Sequence, residues 1–438
     1  MILKKYLPNI LLIALVIIVY WPSFSGDFIF DDNNLVKNNP YVKSLHSISS
    51  YLAQEDGIVD KTVNTHLHTG FYRPLLNFSY YIDYKVWGMK AFGFRLTNIV
   101  LHGLCCLLIF QLLLRLNTNR TAALAGSIFF ALHPLNTESV SMIVCRNNLL
   151  VTIFCILALI CYLECRRGRW IYVFASSLFF GLALLSKEVS VMLIFVFFLY
   201  NRLLFRDNRD LTGEFMSYLP FLFLLTAYLI LRAHVIGAFA SPMTSEDFPT
   251  RLYFIPYIIG LNFLLAFFPS GLHSFYLKYP EHYLGYEGIL SYIIFLLLAV
   301  ALWRLRHKTL LIFSVACFVV SMFPVLGLIP IASPSIITMR WLYFPLAFLS
   351  IGVAYLIQTV WTSPKTKTLG TALMVIIFAY FGAYTYVLAD TLWKNQRSFL
   401  NIEVLHFKNV LFADALAGFL HDEKKYAEAE ALTTYGRI

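Results

Sequence analysis

Ten side chains in this sequence are of the kinds that carry chemistry, and they fall in short polar stretches between apolar ones. Asp31 and Asp32 stand together in FIFDDNN, Tyr72 and Arg73 in YRPL, and His133 and Glu138 in HPLNTES, with Arg146 close behind. Lys187 and Glu188 adjoin in SKEVS, and Arg340 opens MRWLYFP. A carboxylate can take the proton of a weakly nucleophilic alcohol, and arginine or lysine can neutralise charge growing on an oxygen leaving group. Residues so far apart in sequence can share one reaction only if the intervening elements bring them to one place. His133 has no second histidine at metal-ligand spacing, so no metal site is expected.

The elements that must position them are membrane helices. The chain has 438 residues, of which 59% are hydrophobic and 13% charged, and its mean hydropathy is +0.70, which excludes an ordinary soluble domain. Apolar runs long enough to cross a hydrocarbon core of about 30 Å recur along the chain without the alternation of barrel strands. The expected fold is all-α and polytopic, with spans near 7–22, 92–114, 121–135, 148–164, 170–186, 189–204, 216–233, 288–303, 309–330, 341–360 and 368–389. These make about eleven crossings. The segment 251–271 contains Pro256, Gly260 and Pro269 and is read as re-entrant or interfacial, because proline interrupts helical hydrogen bonding. The retained first helix lacks a small-residue cleavage site before FIFDD. Seven cysteines without CxxC pairs are expected as core residues rather than disulfides or zinc ligands.

Charge distribution sets the orientation. The net charge of +10 is spread in small clusters between apolar runs, the pattern of orientation signals and not of a nucleic-acid-binding face, so no nucleic-acid partner is expected. Lys4 with Lys5, Arg115 with Arg120, Arg166 with Arg167 and Arg169, Arg202 with Arg206 and Arg209, Arg304 with Arg306 and Lys308, and Lys365 with Lys367 can all face the cytoplasm if 251–271 does not cross fully. The ten polar residues then share the outer face. There the first loop, 23–90, is long enough to hold short helices on the membrane surface. Lys187 and Glu188 form the charged apex of a hairpin whose arms barely span, and charges drawn to that depth are read as functional by default. Plainer readings stand beside these: a solvated acid pair after a helix, a loop-capping Arg73, and a lysine paired with its neighbour or snorkelling.

An outer-face set of acids and cations suits transfer of a sugar from a polyprenyl phosphate, whose phosphate lies at the membrane surface while its tail stays in lipid. The leaving oxygen needs charge neutralisation and the acceptor hydroxyl needs one base. A flippase or other transporter is the competing class, but transporters place binding at the midplane between repeated halves, and no such repeat is visible.

In order along the chain, FDD, YRPL, HPLNTES with CRNNLL, SKE, MRWLYFP and LWKNQRSF leading into a helix with tetratricopeptide (TPR) spacing resemble the transmembrane and TPR-containing protein O-mannosyltransferases and their bacterial relatives, of the GT-C glycosyltransferase class. The resemblance implies a GT-C catalytic domain over 1–390 and a TPR-like extracytoplasmic tail over 391–438. The implied reaction is inverting transfer from a polyprenyl-phosphate-linked sugar to a Ser or Thr hydroxyl of an extracytoplasmic protein, such as a pilin-like one; a lipid A or other glycolipid acceptor is the alternative. It implies Asp31 as base and Asp32 orienting acceptor or sugar. It assigns the donor phosphate to Arg73, Lys187 and Arg340, and the sugar or acceptor pocket to Tyr72, His133, Glu138, Arg146 and Glu188. No cofactor is required, although a divalent cation is compatible with the acid pair. The implied setting is a bacterial inner membrane, with the site on its periplasmic face. Asn136, Cys145, Asn147 and Met339 stand where the family often has other residues, so mannose is not implied as the sugar.

Overall fold

The computed structural model describes residues 2–43, 56–60, 65–205, 211–236, 248–276, 286–326, 335–361 and 364–435. Expectations that concern Arg206, Arg209 and part of the first loop lie outside these residues, as do the side chains of Lys4, Lys5 and Lys365. The chain opens with α1 (Ile2–Val19). The first loop carries α2 (Pro40–Lys43), an antiparallel hairpin of β1 (Asp56–Asp60) and β2 (Thr65–Phe71), and α3 (Pro74–Trp87). Short helices were expected there. The hairpin was not, because neither strand has a regular alternation of apolar and polar residues.

The bundle continues with α4 (Ala91–Arg115), α5 (Arg120–Leu132), the short α6 (Thr137–Ser141), α7 (Arg146–Arg166), α8 (Tyr172–Leu184) and α9 (Leu193–Tyr200). After α10 (Leu211–Met216) come α11 (Leu219–Ile236), α12 (Phe248–Phe267), α13 (Tyr286–Arg304), α14 (Thr309–Met322), α15 (Tyr343–Val360) and α16 (Pro364–Asp390). Among the described residues, six helical segments are long and apolar enough to cross a membrane, namely Ala91–Arg115, Ile143–Arg166, Glu188–Phe205, Leu219–Ile236, Tyr343–Val360 and Thr366–Asp390. Six shorter apolar helices accompany them. The protein is thus an integral membrane protein of helical class. The segment read as re-entrant or interfacial falls largely in one 20-residue helix that runs through Pro256 without doubling back, which leaves the interfacial alternative. Its apolar part, Leu252–Phe267, is among the shorter apolar helices, as that alternative allows.

Small residues set the closest crossings. A methyl group on Gly126 in α5 would come within 2.7 Å of the Ser350 carbonyl in α15, and one on Gly260 in α12 would collide with the Ser291 backbone in α13. Backbones approach this closely only where no side chain intervenes.

The two ends of the bundle differ in chemistry. At one end Arg115 pairs with Glu164 at 3.3 Å, and Arg167 donates to the Arg115 carbonyl; the Asn119 amide donates to Gln358 at 2.7 Å. The opposite ends of α4, α5, α7 and α15 carry Arg95, His133, Arg146 and Tyr343, of which Arg146 pairs with Asp83 of the first loop. Finally α17 (Gln396–Asn401), α18 (Ala413–Asp422) and α19 (Tyr426–Tyr435) form the tail. Leu416, Ala417, Leu420 and Ala429 are buried there, as TPR spacing requires, whereas Tyr426 points outward at 57% exposure.

Candidate active site

The site is built on turns that end membrane helices. After α1, Phe30 takes a left-handed backbone (φ 45°), uncommon for a residue with a Cβ. The two acids that follow have different surroundings. Asp32 is fully buried; its Oδ1 accepts from the Val144 amide at 2.7 Å and its Oδ2 from the Ile29 amide at 3.2 Å. Burial raises its pKa to about 6, against the pull of Arg95 and of these amides. Asp31 keeps about a third of its side chain exposed (32%) and lies 3.9 Å from Arg340 Nη1. Burial of the remainder raises its pKa, and the Arg340 charge draws it back. Asp32 thus ties the first loop to the turn before α7.

Arg340 is the hub. Its backbone amide donates to Glu138 Oε2 at 2.8 Å, its Nε lies 3.6 Å from Glu138 Oε1, and its guanidinium lies 5.4 Å from the Phe275 ring centre. Glu138 is wholly buried and also accepts from the Ser274 hydroxyl at 3.1 Å. Burial raises the Glu138 pKa and the Arg340 charge opposes this; the same carboxylates raise that of Arg340 despite its own burial.

The SKE turn, between α8 and α9, brings in Lys187 and Glu188. Arg73 forms a two-pronged pair with Glu188, Nη2 to Oε1 at 2.8 Å and Nε to Oε2 at 3.1 Å, with its guanidinium over the Phe71 ring at 4.0 Å. Lys187 donates to Asn148 Oδ1, on the first turn of α7. Burial, joined by the nearby charges of Arg73 and Arg340 and opposed by Glu188, lowers the Lys187 pKa to about 7. Asp31, Arg340, Lys187, Arg73 and Glu188 thus converge, with Cys145 beside Arg340 at 3.9 Å from Nη1 to Sγ.

Two expected pocket residues, Arg146 and His133, are occupied by contacts within the scaffold. Arg146 is fully buried and each guanidinium nitrogen already has a protein acceptor: Nε donates to Asn98 Oδ1 at 2.7 Å, Nη1 to Ser79 at 3.2 Å, and Nη2 to Asp83 and to the Phe94 carbonyl. It clamps α3 to α4, which leaves it no donor for a sugar. His133 is also buried, with Nδ1 accepting from the Leu135 amide at 3.2 Å and Nε2 facing the Ala266 carbonyl at 2.9 Å, so it joins the α5 turn to α12. Tyr72 is buried 6.0 Å from the Tyr228 ring.

Sequence reasoning passed over Asp83, Arg95, Ser274, Phe275, Gln396 and Glu403. A signal existed for Arg95: Arg95, Asn98 and His102 recur at helical spacing in an otherwise apolar span, and ionisable groups there are expensive unless employed. No comparable pattern marks Ser274, and Gln396 stands within the LWKNQRSF motif without anything there to give it a role.

Comparison with known proteins finds sequence relatives over part of the chain. Residues 73–236 match the family model described as dolichyl-phosphate-mannose-protein mannosyltransferase. A protein O-mannosyl-transferase of Caenorhabditis elegans is 31% identical over 245 residues, 55% of this chain and 34% of that protein. The protein O-mannosyl-transferase Tmtc1 of Drosophila melanogaster is 29% identical over 182 residues, 41% of this chain and 21% of its own, and TMTC3 of Homo sapiens 24% over 295 residues, 60% and 32%. The chain spans about a third or less of the length of these relatives. The solved structure of ArnT from Cupriavidus metallidurans bound to undecaprenyl phosphate aligns over 98% of this chain and 74% of that one, at 12% identity and a TM-score of 0.44. The chain is similar in sequence to these membrane protein O-mannosyl-transferases.

Proposed function

We propose that this protein is a GT-C-type inverting glycosyltransferase that moves a sugar from a polyprenyl-phosphate-linked donor to a hydroxyl of an extracytoplasmic protein. The observation that carries the reading is the pairing of a partly exposed carboxylate, Asp31, with Arg340 at 3.9 Å, beside Lys187 and Arg73. The relatives are named for protein O-mannosyl transfer, which supports a protein acceptor. The sugar is left open.

In the proposed reaction the acceptor hydroxyl gives its proton to Asp31 as its oxygen attacks the anomeric carbon. The bond from that carbon to the phosphate oxygen breaks on the opposite face, and its electrons remain on the polyprenyl phosphate. A base of raised pKa accepts a proton more readily provided it starts ionised, and the Arg340 charge favours that form. Arg340, Lys187 and Arg73 take up the phosphate charge, with Glu188 holding Arg73 in place. Charge neutralisation is thus assigned to protein cations rather than to a divalent metal.

We place the site on the non-cytoplasmic side, periplasmic in a bacterial inner membrane, because Arg115, Arg120, Arg166, Arg167 and Arg169 stand at the far ends of the same helices, and cytoplasmic ends are rich in such residues.

Asp31→Asn tests the reading. With purified protein, a lipid-phosphate sugar and an acceptor peptide, transfer should fall by about 10²- to 10⁴-fold, the usual share of a general base, while thermal stability in detergent is kept. Undiminished transfer by the variant would falsify the assignment. A product found only on glycolipid, with the peptide unmodified, would move the acceptor from protein to lipid.

A further inference from the structure

The tail reaches the proposed base. The Asp27 amide donates to the Lys394 carbonyl at 2.9 Å, and the Phe30 amide donates to Gln396 Oε1. The Phe30 ring is enclosed by Phe275, Phe399 and Phe412, at centroid separations of 5.6, 5.6 and 5.1 Å. Phe30 is also the residue with the left-handed backbone, directly before Asp31. Such a conformation persists in a residue with a Cβ only when its surroundings hold it. Here a hydrogen bond holds the amide and an aromatic box holds the ring, and both come largely from beyond residue 390.

That bend decides where two adjacent acids go. Asp32 turns inward to the Ile29 and Val144 amides, and Asp31 is left toward Arg340. Phe275 contributes twice, as a wall of the box around Phe30 and as the ring beneath the Arg340 guanidinium. It is fixed in turn by the tail. Buried Glu403 accepts from the Ser274 amide at 2.7 Å and from Asn409 Nδ2 at 2.9 Å, while the Ser274 hydroxyl bridges to Glu138. Both partners of the Asp31–Arg340 pair therefore rest on residues 396–412.

We propose that Gln396 is a positioning residue for Asp31, and that the segment from Gln396 to Phe412 completes the catalytic centre. The proposal rests on the reading of Asp31 as the base. Gln396 touches neither donor nor acceptor in this scheme. It acts by accepting from the Phe30 amide and so holding the bend that aims Asp31.

The test compares Gln396→Leu, which keeps the bulk without the acceptor oxygen, with Gln396→Glu, which keeps that oxygen. The leucine variant should lose about 10- to 100-fold in kcat, the scale of a misplaced catalytic group, with the donor KM unchanged. The glutamate variant should recover most of the loss, with both melting as the parent does. A leucine variant of full kcat, a glutamate variant no better than leucine, or a loss confined to KM would each overturn the proposal.

A readout that needs no turnover separates this failure from failure of the glycosyltransferase reading. Asp31→Cys is labelled with a water-soluble methanethiosulfonate reagent, and modification at position 31 is followed by peptide-resolved mass spectrometry. Adding Gln396→Leu should change that labelling rate several-fold, and adding Gln396→Glu should leave it near the parent's. Equal rates in all three chains would overturn the positioning role whatever the reaction is. A rate change in a protein that transfers no sugar would uphold the positioning of residue 31 and count against the proposed reaction alone.

Discussion

Two arginines at the same end of the bundle show how one side-chain type can be built into a scaffold or held ready for use. Around Arg146 every nitrogen is satisfied: Asp83 supplies the charge, Asn98, Ser79 and Phe94 the remaining acceptors, and Tyr80 and Phe94 the rings over its face. Around Arg340 the partners stand further off. Its side chain lies 3.6 Å from Glu138 and 3.9 Å from Asp31, with 19% exposure. A buried guanidinium that is fully bonded costs much to disturb and has nothing to offer a ligand. One with long contacts to two carboxylates can strengthen its bond to an incoming phosphate without first breaking a short one.

The comparison is sharpest if the two arginines fail differently. Arg340→Met should lower transfer by about 10²- to 10³-fold, as loss of an electrostatic stabiliser does, and should also destabilise the protein by stranding the buried Glu138. Adding Glu138→Gln should restore the melting temperature and leave transfer low. If the double variant regained activity, Arg340 would matter only for Glu138, and the contrast with Arg146 would vanish.

Arg146→Met should act on stability instead, by about 3–5 kcal/mol, because Asp83 would be left as an unpaired buried charge. Asp83→Asn in the same chain should return part of that, read from the detergent melting temperature. The fraction of either variant that folds should retain the parent's donor KM. A raised KM with normal stability would return Arg146 to the pocket.

The same contrast explains what was legible in the sequence. Hydropathy located the helices well: the runs at 92–114, 148–164 and 341–360 became Ala91–Arg115, Arg146–Arg166 and Tyr343–Val360, since length and apolarity are local properties. Motif order brought out Asp31, Arg73, Lys187, Glu188 and Arg340, which the fold does gather. It could not separate Arg146 from Arg340, or Asp32 from Asp31, because residue type says nothing about whether a donor is already occupied. That is decided by Asp83 and Asn98 for the one, and by the Val144 amide for the other. Pro256 misled only toward the re-entrant alternative: proline interrupts a helix only when its neighbours cannot accommodate the missing bond, and α12 continues through it as one helix. The role of the tail was hidden because Gln396 reaches Phe30 across 366 positions.

Lys187 gives the smallest and most discriminating prediction. Burial and the neighbouring arginines lower its pKa from 10.5 to about 7, so between those values the unfolded chain holds a proton that the folded chain has released. Stability from this group must therefore rise with pH from about 7 toward 10.5 and be lost as pH falls through 7. Donor binding has the opposite sign, because the phosphate is attracted to the protonated amine. From pH 6 to pH 9 the donor KM should rise about tenfold, the worth of one charge-assisted hydrogen bond, while the melting temperature gains the contribution of this residue. Lys187→Met should flatten the first trend and remove its share of the second. Titration of Asp32 cannot mimic the pair, since with a pKa of about 6 it is ionised over most of this range. A donor KM that stays level in the parent from pH 6 to pH 9 would place the phosphate away from Lys187 and leave Arg340 and Arg73 to bind it.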